Sequence, residues 1–149
     1  MLYLFMGQSC TGKSTVAKKL QELMDVEVFS GKDYLRLAKG ENEAWEKFYD
    51  KLSQAALDAT GSQTSIVYLI TEKGQLDKVS SIEGANRVKF TASLDTIKAR
   101  FAQRMGGRLP APVEKMLEGQ YVQWEAVEGH ITLDTTEDID PMVAARSLM

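Results

Sequence analysis

Apolar and β-branched residues gather in five short runs, and the stretches between them carry helical periodicity. The runs are Leu2–Met6, Val26–Phe29, Ser65–Thr71, Arg87–Thr91 and His130–Leu133. Ile66-Val67-Tyr68-Leu69-Ile70 is apolar without a break, the pattern of a strand covered on both faces, and predicts a central strand beside the first. After the first run, Val16, Ala17, Leu20, Leu23 and Met24 recur at helical spacing within Ser14–Met24. A long insertion, Ser30 to Gly61, separates the second and third runs. Its C-terminal part sets Trp45, Phe48, Tyr49, Leu52, Ala55 and Ala56 on one helical face, with Glu43, Glu46, Lys47, Asp50 and Lys51 mostly on the other. Ser93 is placed to cap a helix over Leu94–Met105, which Gly106-Gly107 ends, and Asp140-Pro141 opens a closing helix over Pro141–Leu148. Strand alternating with helix predicts an α/β fold, a parallel sheet flanked by helices.

Composition narrows the classes. With 149 residues, 44% hydrophobic, 26% charged and a net charge of −3, the chain fits one domain with an ordinary core. Disorder is not suggested, and neither is a basic nucleic-acid surface. Cys10 is the only cysteine and His130 the only histidine, so neither a disulfide nor a zinc cluster is expected, and His130 is given no chemistry. The short N-terminal apolar run leads directly into a glycine-bearing loop, so no signal peptide, no membrane span and a cytoplasmic location are expected.

That loop carries the chemistry. Gly7-Gln8-Ser9-Cys10-Thr11-Gly12-Lys13-Ser14 spells G-x-x-x-x-G-K-[ST] between a strand-type run and a helical one, the context the phosphate-binding loop requires. Glycines let successive backbone N–H groups converge on phosphate oxygens, and the following helix offers its positive end to the same charge. Lys13 is expected to reach the β- and γ-phosphates of ATP and Ser14 to ligate Mg²⁺, with Gly7, Ser9, Cys10, Thr11, Gly12 and Thr15 completing the nucleotide contacts. As a loop residue, Lys13 is not expected to belong to the core.

Phosphoryl transfer also needs a group for the acceptor's proton and positive charge over the moving phosphoryl. Asp33 follows the second strand at the crevice of an α/β sheet, where it would face the acceptor or a water on Mg²⁺; the competing assignment is a helix cap. Glu72 ends the third strand and is either an acidic group near the metal's water shell or a solvated strand end. Arg100, Arg104 and Arg108 recur every four residues into Gly106-Gly107 and Leu109-Pro110-Ala111-Pro112, which suggests a hinged lid bringing arginine to the phosphates. Solubilising surface arginines are the alternative.

With these parts in place, the chain resembles the small P-loop kinases, which include gluconate, shikimate and nucleoside monophosphate kinases, and comes nearest the gluconate kinase type. The resemblance rests on the phosphate loop, the Asp33 turn, and Arg100-x-x-x-Arg104 leading to Gln120-Tyr121. It implies a five-stranded parallel sheet of order 2-3-1-4-5, an acceptor pocket built by the insertion at about 31–61, and a lid at about 104–118. It also implies adenine near Asp134-Thr135-Thr136. Three positions depart from the pattern: Cys10 stands where glycine is usual, Arg108 replaces an aromatic residue, and Glu72-Lys73-Gly74 lacks a glycine pair.

The function expected is an ATP- and Mg²⁺-dependent kinase acting on a hydroxyl of a small anionic metabolite, with Lys13, Asp33, Arg104 and Arg108 in catalysis. Asp33, Arg36, Trp45 and Glu72 are the acceptor side, and Ser14 with Asp33 the metal side. Lys32, Arg36 and Lys39 supply the charge that favours an anionic acceptor. A nucleoside monophosphate kinase using Tyr34, Trp45 and Phe48 as a base slot is one alternative, though the aromatic stripe also serves plain core packing. A nucleotide-binding regulatory module without transfer is another, and the partners expected are ATP and a small molecule rather than nucleic acid or membrane, for a monomer or homodimer.

Overall fold

The first strand, β1 (Leu2–Met6), is buried at every position, and its alternation decides which layer receives which side chain. Leu2, Leu4 and Met6 enter one apolar cluster, whereas Tyr3 and Phe5 enter the other. The computed structural model describes residues 1–149. In chain order the elements are β1, α1 (Lys13–Leu23), β2 (Val26–Ser30), a 3₁₀ turn (Asp33–Leu37), α2 (Glu41–Leu57), β3 (Ser65–Ile70), α3 (Lys73–Val79), β4 (Asn86–Thr91), α4 (Leu94–Arg104), α5 (Ala111–Glu125), β5 (Ile131–Asp134) and α6 (Pro141–Ser147). All strand pairs are parallel, in the order β2-β3-β1-β4-β5, with Leu4 beside Tyr68 on one side and Phe5 beside Val88 on the other. Helices α1 and α6 cover the Tyr3 face, while α2, α3 and the end of α5 cover the Leu4 face. The three-layer α/β fold and strand order are those expected. No helix is long and apolar enough to cross a membrane.

Two helices were not foreseen. Helix α5 begins at Ala111-Pro112, where proline loses nothing because N–H groups in a first turn have no helical acceptor, and it carries Gly119 within it. Val113, Leu117, Tyr121 and Trp124 supply the inward face that stabilises it despite that glycine, so much of the segment assigned to a lid is regular helix. Helix α3 is short, and Glu72 caps it: its side chain accepts from the third helical residue while the Gln75 side chain accepts from the Glu72 amide.

Phe48 is the hub of the α2 side. Its ring lies 4.9 Å from Phe29 and 5.0 Å from Tyr68, centroid to centroid, with Tyr34 stacked at 5.8 Å. Phe48→Ala leaves a cavity that these rings cannot close, so it should cost about 3–5 kcal/mol of stability, read as a fall in the urea midpoint at constant slope.

Candidate functional site

From Gly7 to Gly12 the loop's carbonyls, Ser9 excepted, accept hydrogen bonds. Lys13 Nζ donates to the carbonyls of Gly7 and Gln8, the latter at 2.7 Å, and Thr11 Oγ1 donates to Gln8 O at 2.7 Å. Arg100 donates to Cys10 O at 3.0 Å, Thr135 Oγ1 to Thr11 O at 2.9 Å, and the Val16 amide to Gly12 O at 3.1 Å. The amides of Gln8, Ser9, Cys10, Thr11 and Gly12, by contrast, meet no acceptor in the protein. Gln8 and Thr11 are only 2% and 1% exposed, and buried N–H groups without acceptors are rare in folded proteins. Helix α1 adds its own free amides, having neither a side-chain cap nor an acidic residue in its first turn.

Gly7 is required because a Cβ there would stand 2.3 Å from Phe90 O, and Gly12 because its φ is +92°. Cys10 is the one non-glycine residue with positive φ, at 65°. That conformation costs about 1 kcal/mol or more, offset by burying the thiol against Ala92, Ile97 and Leu117. The Cys10 side chain thereby pins the loop to α4 and α5.

Around the loop lies a cavity of about 240 Å³ lined by Ser9 to Thr15 together with Ser30, Leu69, Thr71 and Arg104. A second, of about 250 Å³, continues from it through Cys10, Gly12, Thr15 and Arg104 to Arg100, Thr135 and Ile139, with Glu137 and Asp138 on its lining. The pair has the layout of a phosphate cradle beside a compartment for a base and sugar. Lys13 departs from expectation. It is only 7% exposed, and burial pulls its pKa down to about 8, helped by the Arg104 charge and opposed by Cys10.

The remaining expected residues divide. Arg104, Thr15 and Ser14 stand at the cavities, as do Arg100 and Thr135. The Arg100 guanidinium, however, is occupied by Cys10 O and by the hydroxyl (3.1 Å) and carbonyl of Thr135. Arg108 lies beyond the end of α4, exposed and away from both cavities, because the helix stops at Arg104. The Asp134 carboxylate turns to Thr136, whose hydroxyl and amide hold its pKa low, and it lines neither cavity. The acceptor group does not converge. Asp33 accepts from the Ser30 amide at 2.9 Å, Arg36 pairs with Glu27 at 3.3 Å across the Phe29 ring, Glu72 caps α3, and Trp45 packs against Tyr34 and Phe48.

Ser30, Thr71 and Gln8 join the candidate site; sequence reasoning does not reach Ser30 or Gln8, and reaches Thr71 only as a neighbour of Glu72 equally placed to face the crevice. The first two stand at the carboxyl ends of β2 and β3, a positional signal that was available. Gln8 sits at a variable position of the motif, yet its side chain donates to Leu117 O at 2.8 Å and ties the loop to α5. For Mg²⁺ the phosphate cavity offers the hydroxyls of Ser14, Ser30 and Thr71 and no carboxylate, and nowhere do three His, Cys, Asp or Glu side chains gather around a metal position. That donor set suits a cation held mostly by phosphate oxygens and water, with Ser14 as the protein ligand.

No protein-family model matches the chain, and no curated protein matches it in sequence. Solved structures do match in fold. The YorR protein of Bacillus subtilis in complex with phosphorylated GDP aligns with a TM-score of 0.62 at 21% identity, over 99% of this chain and 93% of that one. A gluconokinase from Sinorhizobium meliloti aligns at 0.60 and 17%, over 97% and 86%. Shikimate kinase from Acinetobacter baumannii in complex with shikimate aligns at 0.55 and 15%, over 99% and 89%. At these identities the likeness establishes the three-layer fold of the P-loop kinases.

The buried lysine sets a pH dependence. Phosphate needs Lys13 as the ammonium, whose pKa in the free protein is about 8, so affinity for ATP should be nearly flat from pH 6.5 to 7.5 and then fall towards tenfold per unit above 8. Titration calorimetry in buffers of different ionisation enthalpy should show proton uptake on binding above pH 8, retained in Cys10→Ser and lost in Lys13→Met.

Proposed function

We propose that the protein is an ATP-dependent phosphotransferase that moves the γ-phosphate to a hydroxyl of a small anionic metabolite. The observation that carries this reading is the run of five loop amides without acceptors beside a buried lysine, next to a second cavity of base-and-sugar size. In that role the amides of Thr11 and Gly12 and the end of α1 bind the phosphates, and Lys13 exchanges its two carbonyl partners for phosphate oxygens. Ser14 holds Mg²⁺, which supplies charge neutralisation at the β- and γ-oxygens when bound. Arg104, exposed at the junction of the two cavities, is the cation free to swing onto the transferring group.

Asp33 is the group proposed for the acceptor's proton. It sits beside Ser30, which lines the phosphate cavity, and one carboxylate oxygen is held by the Ser30 amide. The insertion at about 31–61 would supply the acceptor side and the segment at about 104–118 the cover. Like kinases of known fold, among them the gluconokinase and the shikimate kinase, the chain would then act on a small molecule.

One observation favours a nucleoside monophosphate as acceptor. Tyr34, Trp45 and Lys78 line an open groove of about 400 Å³, an aromatic wall with a cation beside it. Against it, the Lys78 ammonium stands 5.2 Å over the Trp45 ring and so occupies the face a base would stack on. The dispersal of Arg36 and Glu72 into structural contacts favours a binding module without transfer.

A panel measured by ADP release separates the three. Sugar acids and ring acids should stimulate turnover and nucleoside monophosphates should not; the reverse makes the protein a nucleotide kinase, and tight ATP binding with no acceptor response makes it a module. In the active panel, Asp33→Asn should lower kcat by about 10²- to 10⁴-fold with ATP affinity little changed.

A further inference from the structure

The donors that turn the loop's carbonyls outward are not all local. Lys13, Thr11 and Val16 belong to the loop and its helix, but Arg100 is 90 residues away on α4 and Thr135 is 124 residues from Thr11, just past β5. Arg100 donates to Thr135 Oγ1 at 3.1 Å, and that hydroxyl donates its own proton to Thr11 O at 2.9 Å. The two therefore form one chain of hydrogen bonds, in which the guanidinium polarises the hydroxyl.

A peptide unit is planar and trans, so its carbonyl and the N–H of the next residue point in opposite directions. Holding Cys10 O outward aims the Thr11 N–H inward, and holding Thr11 O outward does the same for Gly12. We propose that Arg100 and Thr135 are positioning residues: a latch that aims the second half of the phosphate loop before any ligand arrives, rather than groups that touch the phosphates. The proposal rests on the nucleotide-binding reading above and assigns these two residues a different role within it.

Three features agree with the latch. Cys10 sits at φ 65°, a conformation a non-glycine residue keeps only where its surroundings hold it, and its carbonyl is the one Arg100 grips. Thr135 is 5% exposed, so its hydroxyl spends its proton within the protein, on Thr11 O, rather than on water. Finally, both residues line the base-side cavity, so the latch is built from the walls that a base would contact.

The test uses the whole chain and two probes, MgATP and Mg-tripolyphosphate, with calorimetric affinities and the rate at which a thiol reagent alkylates Cys10 in the absence of ligand. Thr135→Val removes one hydroxyl at constant shape, and Arg100→Lys keeps the charge but loses the fork. Each should weaken both probes by about tenfold or more, since hydrogen bonds to charged groups carry that much, while Thr135→Ser stays near wild type. The double variant should lose little beyond the worse single variant, because both break one chain. Cys10, 6% exposed in the latched loop, should be alkylated faster in both variants, at temperatures well below the unfolding transition of each.

If ATP weakens and tripolyphosphate does not, the two residues serve the base and the latch is wrong. Unchanged affinity for both probes, or unchanged alkylation, also overturns it, as does full affinity in Arg100→Lys, which would mark Arg100 as a simple charge. Should wild type bind neither probe, the nucleotide reading falls, while the ligand-free alkylation rates still decide whether the latch exists.

Discussion

A peptide chain that aims several consecutive amides at one point must send the intervening carbonyls the other way, into protein. Those carbonyls cannot be left unpaired where they are buried, so a phosphate cradle is as much a problem of hydrogen-bond donors behind it as of glycines within it. Here Gly7, Gln8, Cys10, Thr11 and Gly12 all find donors, and four of the suppliers are the side chains of Thr11, Lys13, Arg100 and Thr135. Much of the upper molecule follows from that need. Strand β5 must end where Thr135 can reach Thr11, and α4 must cross where Arg100 can reach Cys10 and Thr135.

The hairpin of α4 and α5 is organised around the same loop. Lys98 on α4 pairs with Glu114 and Glu118 of α5 at 3.0 and 2.8 Å, and these two carboxylates, Glu118 foremost, hold its pKa above the usual range. Such exposed pairs contribute little each, so the apolar contacts of Ile97 and Leu117 with Cys10 hold the hairpin down. At its far end Trp124 donates to Thr71 O at 3.0 Å, bringing α5 over the carboxyl end of β3. The loop is thereby enclosed by α4 and α5, and Cys10 and Gln8 are the side chains through which it joins that enclosure.

Charge follows the same division between scaffold and site. Arg36, one of the three cations expected to favour an anionic acceptor, is drawn together with Lys51 to Glu27 on β2. Arg104 keeps its charge at the junction of the cavities. The arginines spaced every four residues thus separate into one that holds backbone, one that is free at the site, and one that lies outside it.

The sequence by itself determined the architecture: alternating apolar runs and helical periodicities, with a glycine-lysine-serine loop after the first strand, admit few arrangements other than a parallel sheet with that loop at its crest. These are local signals, carried by the spacing of neighbours and by backbone conformations that only certain residues adopt. Helix α5 escaped because its prolines and Gly119 resemble a loop until Leu117 and Trp124 have something to pack against. The roles of Arg100, Glu72, Arg36 and Gln8 were decided only by tertiary structure. A long polar side chain spends its hydrogen bonds on whatever acceptor the fold brings within about 3 Å, and for Arg100 that acceptor lay 90 residues away.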